Sequence, residues 1–208
     1  MGEDFMLRGR SQAASAADLQ VRVGDDGSLV KMDRYTELSA RGLVFSASRA
    51  AVTLPVNAAT LVSLFGLYNP AGSGKMLELI DAEAHYVVAT TVVNALGLYY
   101  SNGTDASGAT FTTQAQAQIE NARVGEGVPS VCRFYSAVTH VGTPKLLDLV
   151  GGWGAVTDGG ATPIRKQWDG KIMVPPGVLL ALAMTTAAAT ASGLTSVLRW
   201  AEVPYKAQ

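Results

Sequence analysis

From Leu43 to Val203 apolar and polar residues alternate in short runs. Gly, Pro, Asn and Asp turns separate the runs, and no stretch carries a sustained helical stripe. Successive strand residues face opposite sides of a sheet, so this period of two fits half-buried antiparallel strands. The runs are Val44–Ser48 with Ala51–Leu54, Thr60–Tyr68, Met76–Ile80, Tyr86–Ala95, Leu96–Ser101, Ala109–Thr113, Val131–Val141, Lys145–Val150, Thr162–Trp168, Lys171–Val174 and Leu194–Val203. Leu180, Leu182 and Met184 also alternate with small residues, and Leu194, Leu198 and Trp200 share one face of the last run. Eight or more strands with no long helix and no internal repeat predict an all-β, antiparallel β-sandwich or barrel over residues 43–208. Asn102-Gly103 and Asp169-Gly170 are turn signals, the second of the composition that type I′ hairpins use. Pro175-Pro176-Gly177 predicts a fixed corner. Thr113–Asn121 reads as a surface loop or a helical turn, and Gly151–Gly160 as a long loop.

Residues 1–42 differ. Met1–Arg10 is mixed and unpatterned, Ser11–Ala17 is small and flexible, and Leu19–Val30 carries a hairpin signature around Gly24–Gly27. Lys31–Arg41 fits a strand or a turn of helix. The segment has too few large apolar residues to offset the entropy of ordering it alone. It is expected to be an arm held by its own domain, a sister subunit or a larger lattice.

Composition narrows the function. Charged residues make up 16% of the 208-residue chain against a norm of about 25%, while 48% are apolar. Disorder is excluded, and the shortage of charge suggests a surface partly covered by partners. With a net charge of −1 and no basic stripe, nucleic acid is not an expected partner. The longest weakly polar stretch, Val178–Ala191, is interrupted by threonines and too short to span a bilayer, so no membrane is expected either. The acidic opening Met1–Asp4 lacks the apolar core of a signal peptide, which predicts synthesis in a cytoplasm. The single cysteine, Cys132, excludes an intrachain disulfide and reads as a small buried hydrophobe.

Candidate chemistry is thin. Gly72–Lys75 is half of a phosphate-binding loop, but Asn69 stands where the first glycine belongs and Met76 where the magnesium-binding hydroxyl belongs. The stretch reads instead as a tight connection between two strands. His85 and His140 are the only histidines, and with Asp81 or Glu83 they form the one conceivable metal set. Neither lies in a nucleophile motif. Trp153, Trp168, Tyr99 and Tyr100 suit core packing better than a sugar-stacking surface. The residues therefore give no catalytic, cofactor-binding or metal site.

Three segments carry a resemblance: Leu67–Lys75 with its Asn-Pro-Ala-Gly-Ser-Gly-Lys turn, Asp169–Gly177, and the final strand ending Trp200–Pro204. Together they resemble the small jelly-roll-like β-sandwich proteins that decorate tailed-bacteriophage heads, the cement or decoration proteins. The resemblance covers residues 43–205; the arm matches no motif. It implies a non-enzymatic virion structural protein on the capsid exterior. Such a protein is often a homotrimer and contacts the major capsid protein at junctions between capsomers. Alternatives are a head-fibre or tail-associated glycan-binding module and, more remotely, a metal-dependent cupin-like barrel.

Overall fold

A computed structural model describes residues 33–53, 63–86, 94–102, 110–113, 119–125, 127–139, 144–153, 163–185 and 193–205. The chain divides into two compact units, Met1–Glu37 and Leu38–Gln208. The expected hairpin at Leu19–Val30 lies outside the described residues, as does most of the arm. Lys31–Arg41 contains a helix, α1 (Arg34–Ala40). Asp33 caps it, accepting the Tyr35 N–H on its side chain and the Glu37 N–H on its carbonyl. At the other end Gly42 takes φ 70°, the Gly42 N–H bonds Ser39 O, and the Leu43 N–H bonds Leu38 O. This paired closure needs a left-handed residue, and glycine supplies it without strain. Among the described residues no helix is long and apolar enough to cross a membrane.

After the helix the described residues are strands, turns and their connections. One antiparallel sheet holds β1 (Val44–Thr53), β3 (Lys75–Tyr86), β6 (Ile119–Asn121), β9 (Ile164–Gln167), β10 (Met173–Val174) and β12 (Gly193–Pro204). Its order is β10-β3-β12-β1-β6, with β9 also on β3. The second sheet holds β2 (Ser63–Asn69), β4 (Asn94–Asn102), β5 (Thr110–Thr113), β7 (Arg133–Thr139), β8 (Lys145–Trp153) and β11 (Val178–Met184). Its order is β5-β7-β2-β11-β4-β8.

The pairing is nested. β1 pairs β12, β2 pairs β11, β3 pairs β9 and β10, and β4 pairs β8, with successive pairs falling in alternate sheets. A long antiparallel hairpin rolled up in this way is a jelly roll, so the expected all-β sandwich is the observed one. Strands β5, β6 and β7 are an insertion between β4 and β8. They extend the roll at one side, β7 and β5 beyond β2 and β6 beyond β1.

The core lies between the sheets. Leu77, Leu79, Leu198 and Trp200 of one sheet meet Phe65, Leu67, Leu96, Leu98, Leu180 and Leu182 of the other. Phe45 stacks on Trp200 at 6.2 Å, and Phe65 tilts against Phe134 at 5.3 Å. β11 sits between β2 and β4 and is buried on both faces from Leu179 to Met184. Its alternation is therefore large against small rather than apolar against polar.

Three local expectations change. Gly151–Trp153 continues β8 rather than starting a loop, with Asn94 to Leu96 of β4 opposite; residues 154–160 are outside the description. Ile119–Asn121 is a strand, tied to Phe45–Ala47 of β1. Asp169-Gly170 makes no hairpin. Both residues have positive φ, 49° and 76°, and the Lys171 N–H bonds Trp168 O, as the composition predicts. Yet β9 and β10 pair with β3 and run in the same direction, so the turn is a tight loop within one edge. The cause is that β3 supplies partners throughout: Trp168 N–H and Asp169 N–H bond Ile80 O, and Gly170 N–H bonds Leu79 O.

Candidate functional site

The three segments behind the family resemblance are distant in sequence and adjacent in the fold. Asn69 ends β2, and its side chain is fully buried. Its Nδ2 donates to Lys75 O at 2.9 Å and to Val174 O at 3.0 Å, and its backbone O accepts the Gly177 N–H at 2.7 Å. Pro204 of β12 faces Lys75, and the Tyr205 N–H bonds Gly74 O at 2.9 Å. One amide therefore fastens the Pro70–Gly74 turn to the Pro175–Gly177 corner, and the end of β12 closes over the turn. The glycines are required here: Gly74 has φ 63° and Gly177 φ 84°. Met173 and Tyr205 are exposed at this end of the roll.

The turn has no phosphate chemistry. Ser73 N–H bonds Pro70 O, and the Ser73 Oγ accepts the Lys75 N–H at 3.2 Å. Lys75 opens a strand, so the free N–H groups that a helix would present to an anion do not exist there. The tight connection expected between two strands is present, and it crosses from one sheet to the other.

Asp81, Glu83 and His85 alternate along β3 and so share a face. Asp81 is buried between two guanidiniums, with Arg165 at 2.7 Å and Arg199 at 2.8 Å. His85 Nε2 lies 2.7 Å from Glu83 Oε1, and Arg199 reaches Glu83 at 4.0 Å. Basic groups on β9 and β12 thus occupy the Asp81 carboxyl that a metal would need. His140 lies outside the described residues. No group of three potential metal ligands forms among the described residues.

The aromatic candidates resolve into packing. Trp168 is buried and donates Nε1 to Asp148 Oδ2 at 2.7 Å. Tyr99 is buried, and burial pushes its phenol upward. Tyr100 packs against the core with Lys145 6.0 Å from its ring centre. The side chain of Trp153 is outside the description. Asp148 joins the two sheets at their closing side: it sits on β8, and Trp168 and Lys166 come from the β9 side. The Trp168 hydrogen bond, ahead of the Leu149 N–H and Lys166, holds its carboxyl below the usual range, against a smaller opposing effect of burial.

Sequence reasoning missed a second buried polar cluster. Glu202, on the inner face of β12, accepts from Ser130 Oγ, from the Val131 N–H at 3.3 Å and from Trp200 Nε1 at 3.4 Å. Ser130 Oγ in turn accepts the Cys132 N–H at 3.0 Å. Cys132 is the buried small hydrophobe expected of it; burial first, then neighbouring Glu202, raises its thiol pKa and leaves it inert. The only sequence signal for Glu202 was an acid breaking the apolar face of the last strand. Nearby, a cavity of about 230 Å³ opens between Phe45, Ile119, Glu120, Arg123, Val128 and Ser130. Asn121 at its wall is already committed, donating to Gly42 O and Val128 O and accepting the Arg123 N–H.

The polar contacts described above hold strands and turns together. Among the described residues several large apolar side chains are exposed. Leu146, Leu147 and Leu149 are each about half exposed along the edge strand β8, and Val124 and Val128 are exposed on the loop after β6. No protein-family model, curated protein or solved structure matches this chain.

Proposed function

We propose that this chain is a non-enzymatic virion structural protein, a cement or decoration protein of a tailed-phage head. It sits on the outer face of the shell between capsomers as a homotrimer, contacts the major capsid protein and stabilises the shell. The observation that carries the reading is the corner around Asn69. The three segments that resemble decoration proteins form one hydrogen-bonded unit at one end of a jelly roll. The half-exposed leucines of β8 and the low charge support protein rather than small-molecule partners. Many such contacts, each weak, become strong in a lattice because every one made raises the effective concentration for the next.

The test adds the purified full chain to phage heads stripped of their decoration. The expected result is density on the outer surface at capsomer junctions, greater resistance of the heads to heat, and a trimer by native mass. A monomer that leaves heads bare, or that instead binds a defined glycan on an array, overturns the reading.

A further inference from the structure

The tight loop in the β9–β10 edge carries a chemical liability that its surroundings suppress. Asp169 is exposed, is followed by glycine, and is the one described non-glycine residue with positive φ. In an Asp-Gly sequence the backbone nitrogen of glycine can attack the aspartate Cγ. The nitrogen gives up its proton, the carboxyl gives up a hydroxyl, and one water leaves as a five-membered imide closes. Water then reopens the ring at either carbonyl. Opening at the backbone carbonyl leaves the main chain running through Cγ, an isoaspartate of unchanged composition.

The attacking Gly170 nitrogen must be free of other bonds and must come within reach of the Asp169 Cγ. Here the Gly170 N–H is committed to Leu79 O at 2.8 Å. On either side, the Asp169 N–H and Trp168 N–H bond Ile80 O at 3.1 and 2.8 Å, and the Lys171 N–H bonds Trp168 O at 2.9 Å. The buried Trp168 indole, bonded to Asp148, anchors the loop from inside. We propose that Asp169 is a latent isoaspartate site, closed while its loop is clamped to β3 and reactive when this edge detaches. The change then makes detachment permanent, because an extra backbone atom cannot keep the register that sets Gln167 opposite Asp81 and Met173 opposite Glu78.

The test incubates the full chain at neutral pH and physiological temperature, folded and in urea, and maps isoaspartate at residue 169 by peptide analysis. The folded chain should isomerise slower by about tenfold or more, equivalent to an edge-opening cost of at least about 1.4 kcal/mol. Equal rates overturn the proposal. Isomerised chains, separated and returned to native buffer, should be cut by protease within residues 167–174 faster than unmodified ones. Equal cleavage overturns the claim that the change holds the edge open.

Discussion

Asn69 offers a test in which the smaller perturbation does the greater damage. Asn69→Ala removes two hydrogen bonds from a fully buried site and leaves Lys75 O and Val174 O facing a small void. Leaving a buried acceptor unsatisfied costs about 1–3 kcal/mol, which already includes the bond it lost. Two such acceptors give a loss of about 2–6 kcal/mol, equivalent to about 4–24 °C in Tm for a chain of this size. Asn69→Asp keeps the shape but puts an acceptor where the amide donates to two carbonyls. At neutral pH the introduced carboxylate is buried and repelled, so the loss should exceed that of Asn69→Ala. Its sign with pH is also fixed. Burial and the carbonyls raise the folded pKa of the new group above the unfolded value of about 3.9. The part of the penalty due to ionisation is therefore absent below that value and grows as pH rises towards the folded pKa, while the single O–H of the neutral acid still serves only one of the two carbonyls. Urea unfolding of both variants at neutral and acidic pH measures this. If Asn69→Asp is no worse than Asn69→Ala at neutral pH, the amide does not hold the corner in the way described.

Glu202→Ala removes the acceptor of Ser130 Oγ, the Val131 N–H and Trp200 Nε1, and should cost about 3–5 kcal/mol in urea unfolding, with faster hydrogen exchange at residues 130–134. Asp148 has a depressed carboxyl, so its contribution is full above the unfolded pKa of about 3.9 and is lost as pH falls through the lower folded value. Asp148→Ala should therefore flatten the acid limb of a stability-against-pH curve and red-shift tryptophan emission. A Cβ on Gly66 would lie 2.4 Å from Val138 Cγ2, so Gly66→Ala should cost about 1–3 kcal/mol. Adding Val138→Ala should recover part of that loss, and strictly additive costs in the double-mutant cycle would refute the contact.

The period of two missed β6 and the end of β8 but placed most of the longer strands, because each sheet has one face on the core. β12 shows this best, with Leu194, Leu198 and Trp200 inward at every point the alternation puts them. What alternation does not encode is the partner of each strand. Nothing local in Asp169-Gly170 tells a hairpin from a loop within one edge, because the turn geometry is the same in both. The difference lies in the carbonyls of Leu79 and Ile80, some ninety residues earlier. Lys31–Arg41 stayed open between a strand and a turn of helix, since the seven residues of α1 are too few to show an apolar stripe. The candidate acids followed the same rule. Asp81 and Glu83 were visible as alternate residues on one face, but the arginines that occupy Asp81 come from two other strands.

A two-sheet roll must dispose of four edges, since each presents unpaired backbone groups to solvent. Here β5 and β6 are only four and three residues long, and the β9–β10 edge is interrupted by the Trp168–Lys171 turn. β8 is the exception, nine residues long and carrying the three leucines. Its pairing with β4 skips twice: Gly97 faces Leu149 while Leu96 faces Gly151, and Tyr99 faces Leu146 while Leu98 faces Asp148. Val150 and Leu147 are thus bulged residues, and bulges put an edge out of step for a further strand. The backbone of β8 is closed to strand addition while its side chains are not, so a neighbour would meet this edge through leucine packing rather than by extending the sheet.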